Sequence, residues 1–263
     1  QVVMAAFDDV EKAGQAVADI IAAGIVPAGL EMMDHLAIKA AEAFAHAGYP
    51  TDAQAILLCE IDGTIEGVGD FIIAVEEVFN QAGATELRTS GNEAERLQLW
   101  AGRKAAFPAV GRLAPDYYCM DGTIPRHRLP EVLKRTHELS LEYDLPVANV
   151  FHAGDGNMHP LILYNANNPG ELERTEELGG KILELCIAVG GTITGEHGVG
   201  IEKINQMCVQ FQPDELEQFR RVKRAFDPNE LLNPGKGIPT PRRCSEYRLL
   251  GKSDDSAQLA GNL

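Results

Sequence analysis

The stretch Val150-Phe151-His152-Ala153-Gly154-Asp155-Gly156-Asn157-Met158-His159-Pro160-Leu161-Ile162-Leu163-Tyr164 constrains this chain more than any other. Its flanks, residues 147–151 and 161–164, are apolar and β-prone, and the Gly-Asp-Gly-Asn between them is a turn sequence. Gly tolerates positive φ, while Asp and Asn bond the local backbone. The pattern predicts a hairpin, or a strand broken by a tight loop, with one His near each edge of the turn. Such a turn brings His152 and His159 together, and two close imidazoles are good ligands for zinc or another divalent transition metal. A second Gly-rich block, residues 190–200, carries Glu196 and His197 side by side. Three of the seven histidines therefore fall in two Gly-rich segments beside an acidic residue. That clustering puts a metal or catalytic site on an equal footing with ordinary turn chemistry. Asp155, between two glycines, reads as a turn former before it reads as a ligand.

A chain of 263 residues can form one large or two small domains around a real core. Its formal net charge of -16 argues against nucleic acid or an anionic membrane as a partner. No apolar run approaches the length of a membrane span, and no signal-peptide pattern opens the chain. The five cysteines include no Cys-x-x-Cys pair and are odd in number. Reduced thiols in the cytoplasm are the simplest account of them.

From the start, strand and helix patterns alternate. Residues 2–7 read as a strand, and Asp8-x-x-Glu11 can cap a helix with Ala13, Val17, Ile20 and Ile21 on one face. A second strand over 25–33 contains Pro27 and Gly29, as edge or bulged strands do. Asp34 then caps a helix through Ala47, and further strands are expected at 55–61 and 86–89. Glu31, Glu60 and Glu86 interrupt the apolar runs that central parallel strands would show. The fold class expected is α+β, a largely antiparallel, ferredoxin-like sheet with helices over one face. A long helix starts at Asn92 and places Leu97, Trp100 and Lys104 near one stripe, with Arg103 beside it. Pro108 kinks or ends that helix. Helices are also expected at 129–143, after Pro169, and at 213–226. The polar residues from Ser245 to the end suit disorder or contact with a partner.

His-Ala-Gly-Asp-Gly-Asn-Met-His, Gly-Glu-His-Gly-Val-Gly and Phe226-Asp227-Pro228-Asn229 through Asn233-Pro234-Gly235-Lys236 together resemble the C-terminal domain of FAD-linked 2-hydroxy-acid oxidases and dehydrogenases of the vanillyl-alcohol-oxidase class. The block from Asp116 to Pro125 is most similar to the flavin subunit of the glycolate-oxidising members. The resemblance implies a substrate or cap domain over residues 1–240, a polar tail over 241–263, and an N-terminal FAD-binding domain that lies outside this chain. It implies FAD as cofactor, a divalent metal (Zn, Mn or Fe) on His152, His159 and Glu196, and a small 2-hydroxy acid as substrate. Arg103 would orient the substrate carboxylate, as a guanidinium can with two prongs, and metal-bound His152 would also face the substrate. His197, beside Glu196, would take the hydroxyl proton as hydride leaves C2 for the flavin. Asn233, Glu196 and His197 would be the flavin contacts made from this domain. Relatives acting on 2-hydroxyglutarate carry Lys and Asn at the positions matching Cys119 and Leu161. Their replacement here points to a smaller acid, glycolate or D-lactate. Alone, the fragment is expected to hold little FAD and to have no turnover.

Two other classes remain open at this stage. Two His and a Glu also suit a self-contained metal-dependent hydrolase, although no His-Glu-x-x-His helix supports one. A non-catalytic module docking other subunits of an oxidase complex is the third, with a cytoplasmic location peripheral to the inner membrane through that complex. Gly-x-x-Gly-x-Gly at 195–200 reverses the order of a dinucleotide fingerprint, which rejects a nicotinamide site.

Overall fold

The computed structural model describes residues 1–250. Strands β1 (Val2–Phe7), β2 (Gly29–Asp34), β3 (Ala55–Glu60) and β4 (Glu86–Thr89) alternate with helices α1 (Val10–Ala22), α2 (His35–Ala45) and α3 (Ile65–Gln81). β3 inserts antiparallel between β1 and β2, and β1 between β3 and β4, giving the order β4-β1-β3-β2 of split, ferredoxin-like units. The sheet continues through β7 (Val147–Phe151) and β9 (Pro160–Tyr164) to β5 (Asp116–Cys119), with every pairing antiparallel. A short second ribbon pairs β6 (Gly122–Thr123) with β8 (Asn157–Met158). The α+β, largely antiparallel fold expected from the sequence is the fold observed.

One expectation needs correction. Helices cover both faces of the sheet, not one. Val3, Ala5, Phe7, Leu57 and Cys59 pack on α1 and α3, whereas Val2, Met4, Ala6, Ile56 and Leu58 pack on α2 and α4 (Glu93–Val110). The unbroken apolar runs of β1 and β3 follow from this two-sided burial. The glutamates that argued for a wet face have separate causes: Glu86 is exposed on an edge strand, Glu60 ends its strand beside Arg96, and Glu31 is buried at a polar cluster.

Several helix limits also shift. Asp9, not Asp8, caps α1 by accepting from Glu11 N–H, and Asp8 instead pairs with Lys12. In α4 the buried face is Leu99, Gly102, Arg103 and Ala106, while Leu97 and Lys104 are exposed. The helix runs past Pro108 to Val110. Its packing against α2 requires Gly102, because a Cβ there would enter the Tyr49 ring. That ring is buried, and its hydroxyl donates to the Leu99 carbonyl.

The C-terminal third adds α5 (Leu129–Tyr143), α6 (Glu171–Ala188), α7 (Met207–Gln210), α8 (Pro213–Phe226) and α9 (Pro241–Leu250). The expectation of five reduced thiols is overturned, since Cys208 and Cys244 form a disulfide that joins α7 to α9. Cys59, Cys119 and Cys186 are free. Residues 245–249, expected to be disordered or on a partner, are helical and lie on this chain: Tyr247 donates to Glu184, and Arg248 to the carbonyls of Cys208 and Phe211. Residues 251–263 of the expected tail lie outside the described residues. Among the described residues, no helix is long and apolar enough to cross a membrane.

Asp34 links strands to helices at the base of this architecture. It caps α2 through Ala37 N–H and accepts from the backbone and side-chain N–H groups of Asn149 on β7. Burial pushes its carboxyl from 3.8 up to about 6 despite those donors. A carboxyl raised in the folded state stabilises fully below its unfolded pKa and loses that contribution as pH rises through the folded value. Relative to Asp34→Asn, the wild type should lose about 3 kcal/mol between pH 4 and 7 in urea unfolding followed at each pH. A flat difference would show that Asp34 is charged throughout. For Gly102→Ala, better helix propensity contributes about 1 kcal/mol, but overpacking against Tyr49 costs about 1–3 kcal/mol. The variant should unfold at lower urea; an unchanged or higher midpoint would mean the Tyr49 ring gives way.

Candidate active site

The hairpin forms as its sequence dictates. β7 pairs with β9, His152 bridges Asn157, and Gly156 sits at φ +72 with its carbonyl accepting from Ile124 N–H. Any Cβ at Gly156 would strike the Ile124 backbone. His152 and His159 thus face each other edge to face, with ring centroids 5.2 Å apart. Asp155 points to solvent and joins no cluster.

The 190–200 loop closes on this pair. Glu196 Oε1 lies 2.9 Å from His159 Nε2, 3.9 Å from His152 Nε2 and 3.8 Å from His197 Nε2. His197 stacks on His159 at 5.0 Å. His159 is buried, whereas Glu196 and His197 are about half exposed, so the cluster opens on one side. Burial holds the His159 imidazole below its usual pKa, and the hydrogen bond that His152 donates to Glu31 raises that of His152.

The donors fit a divalent transition metal. One ligand atom from each of His152, His159 and Glu196 lies within 4.8 Å of the others. The far nitrogens are tethered too: His152 Nδ1 meets Glu31 Oε1 at 2.9 Å, and His159 Nδ1 meets the Met120 carbonyl at 3.3 Å. Metal-binding imidazoles are oriented by contacts of this kind.

Arg103 reaches the cluster through Glu31. Its Nε donates to Glu31 Oε2 at 3.0 Å, and its Nη2 stands 2.7 Å from the same oxygen without hydrogen-bond geometry. Glu31 thus bridges Arg103 and His152, and the buried Nη2 keeps donors for a further oxygen. Asn233 is exposed at φ +48 in the loop after α8, outside the cluster. That loop is tied back to the 190–200 segment where Gly237 N–H donates to the Gly200 carbonyl at 2.8 Å.

Sequence reasoning missed three residues here. Glu31 was weighed only as a break in a strand, yet a lone charge in a buried strand is itself a signal. Asp121 and Lys203 form a buried ion pair at 2.9 Å. The Asp121 carboxylate also accepts from three consecutive backbone N–H groups, Gly195, Glu196 and His197, and from the Thr194 hydroxyl. Burial alone would raise its pKa, but Lys203 and these donors hold it well below the usual carboxylate range. Asp121 lies 74 residues before Gly195, so no local pattern marks the pairing. Leu161 is fully buried in the core, and Cys119 stands beside His159.

Removing one member of a buried pair leaves the other charge uncompensated, so Lys203→Met should destabilise the fold by about 3–5 kcal/mol. The sign for Asp121 is that of a depressed carboxylate: its stabilisation is present at neutral pH and lost as pH falls below about 4. Urea unfolding at pH 7 and pH 3 should show the Lys203→Met deficit shrinking in acid; an equal deficit at both would sever the two residues energetically.

Residues 1–237 match the family described as FAD linked oxidases, C-terminal domain. The chain is 66% identical over 94% of its length to glycolate oxidase subunit GlcD of Escherichia coli K12, covering 50% of that protein. It is 37% identical to glycolate oxidase subunit GlcD of Bacillus subtilis, over 89% of this chain and 50% of the relative. Against a probable mitochondrial D-lactate dehydrogenase of Danio rerio, identity is 28% over 91% of this chain and 48% of the relative. The chain spans about half the length of these relatives. In fold it is similar to p-cresol methylhydroxylase, with TM-score 0.66 at 16% identity over 90% of this chain and 52% of the other. With the family matched along 237 of its 263 residues, this chain belongs to the FAD-linked oxidases as their C-terminal domain.

Proposed function

We propose that this domain provides the substrate-binding half of an FAD-dependent oxidoreductase that converts a small 2-hydroxy acid, glycolate or D-lactate, to the 2-oxo acid. The observation that carries the reading is the convergence of His152, His159 and Glu196 with His197 beside them on an open face. Similarity to proteins named glycolate oxidase subunit and D-lactate dehydrogenase supports the substrate class. Membership of a flavin-linked family favours this reading over a self-contained hydrolase.

When bound, FAD supplies the two-electron acceptor, and a divalent ion on His152, His159 and Glu196 supplies a Lewis acid that lowers the hydroxyl pKa. Arg103 Nη2 binds the substrate carboxylate, with Glu31 holding the guanidinium in place. Glu31 also fixes the His152 tautomer, so Nε2 faces the cavity. His197 is within reach of the same space and accepts the hydroxyl proton. Asn233 contacts the flavin; beside it Phe226, Leu231 and Leu232 stand exposed, an apolar edge suited to a contact beyond this domain. Residues 1–240 act as the substrate domain. The partners are the 2-hydroxy acid and other subunits of an oxidase complex, with no nucleic acid.

Anaerobic mixing of the complete flavoprotein with glycolate or D-lactate should bleach the flavin. His197→Gln should slow that bleaching by about 10²–10⁴-fold, the usual worth of a positioned base, with flavin content unchanged. Bleaching at the wild-type rate in His197→Gln would remove the residue from the proton transfer. Metal analysis should give about one ion per chain, lost when His152 and His159 are both changed to Ala.

A further inference from the structure

A second set of ligand-type side chains meets at the same histidine. One ligand atom from each of Cys119, His159 and His197 lies within 4.8 Å of the others. Cys119 Sγ stands 4.0 Å from His159 Nδ1, the ring edge opposite the Nε2 that faces Glu196. The His197 ring is stacked on His159 at an interplanar angle of 19°. Donor atoms around a tetrahedral ion with thiolate and imidazole ligands are roughly 3.3–3.6 Å apart. Closing this set therefore asks for movements on the order of 1 Å. They fall on a half-exposed side chain in a loop and on the last residue of β5, not on the body of the sheet.

The two sets differ in chemistry. A carboxylate with two imidazoles accepts borderline and harder divalent ions, whereas exchanging the carboxylate for a thiolate turns the preference toward soft ones. We propose that Cys119, His159 and His197 form a second ion site, selective for thiophilic divalent cations such as Cd²⁺, that competes for His159 with the His152–His159–Glu196 set. On binding, the Cys119 S–H bond breaks, a sulfur–metal bond forms and that proton passes to solvent, while the His159 proton that faces the Met120 carbonyl moves from Nδ1 to Nε2 and so withdraws Nε2 from the other set; no electrons are exchanged. Occupancy draws His197 into coordination. On the proposed oxidation, where His197 accepts the proton, thiophilic cations therefore inhibit and Mn²⁺ does not.

Among the described residues Cys119 is the one free thiol outside the core. The other free thiols, Cys59 and Cys186, are buried in it, and Cys208 is joined to Cys244. The complete purified protein is titrated with Cd²⁺ while the ultraviolet thiolate-to-cadmium charge-transfer band is followed. The band should saturate at one Cd²⁺ per chain, vanish in Cys119→Ser and Cys119→Ala, weaken in His197→Ala, and persist in Glu196→Gln. Mn²⁺ should produce none. Cd²⁺ binding without the band, or a band that survives in both Cys119 variants, would overturn the site. Thermal melting of the two Cys119 variants guards against misfolding as the cause of a lost signal. The band is read without substrate or turnover, so its appearance stands even if no 2-hydroxy acid reduces the flavin. Conversely, an oxidase that shows no band would refute the thiol site alone.

Discussion

The geometry of the candidate site depends on one buried carboxylate. Asp121 gathers Lys203 Nζ, the Thr194 hydroxyl and three successive backbone N–H groups. Desolvating a charge costs several kcal/mol, and only a full set of donors offsets it. Here the donors belong to the loop whose side chains matter, so stabilising the carboxylate and placing Glu196 and His197 are one event. Gly195 must be glycine for the same reason: a Cβ there would come within 2.5 Å of Asn157 Oδ1. The half-exposed Glu196 is thereby held by its backbone, while its side chain stays available.

The sheet supplies the other half of the constraint. His152 leaves the end of β7 and His159 precedes β9, both central strands, while Glu31 comes from β2 next to β7. Burial on both faces leaves these strands little freedom. Arg103 is added from α4, whose close approach to α2 passes through Gly102 and Tyr49. A chain of contacts then runs Arg103–Glu31–His152–Glu196–His159, with alternating charge or polarity at each step. Rigid strands on one side and a carboxylate-anchored loop on the other leave an open face between them. Under the proposed function, the Arg103 guanidinium and the imidazoles would take the two ends of a small 2-hydroxy acid on this face.

The third segment of the chain shows the limit of local reasoning. A polar tail looked unsuited to packing, yet α9 is held by a disulfide and by Arg248 on two carbonyls. Cysteines 36 residues apart carry no spacing signal of their own. The stripe on α4 failed for a related reason. Leu97 and Lys104 fit a helical period, but the face that packs was decided by Tyr49 and Glu31 on other elements, which select Gly102 and Arg103.

By itself, the sequence determined most of what rests on short-range pattern. Strand and helix alternation, the antiparallel α+β class, the 152–159 hairpin with its two histidines, and the Asn92 and Asp34 caps follow from periodicity and turn chemistry, while the joining of Glu196 and His197 to that pair was implied by the family resemblance. Tertiary structure alone decided which distant charges complete the site. Glu31, Asp121 and Lys203 are separated from their partners by between 72 and 121 residues. Whether a buried charge is tolerated depends on donors that the fold delivers from elsewhere, and that delivery is a property of topology, not of local sequence.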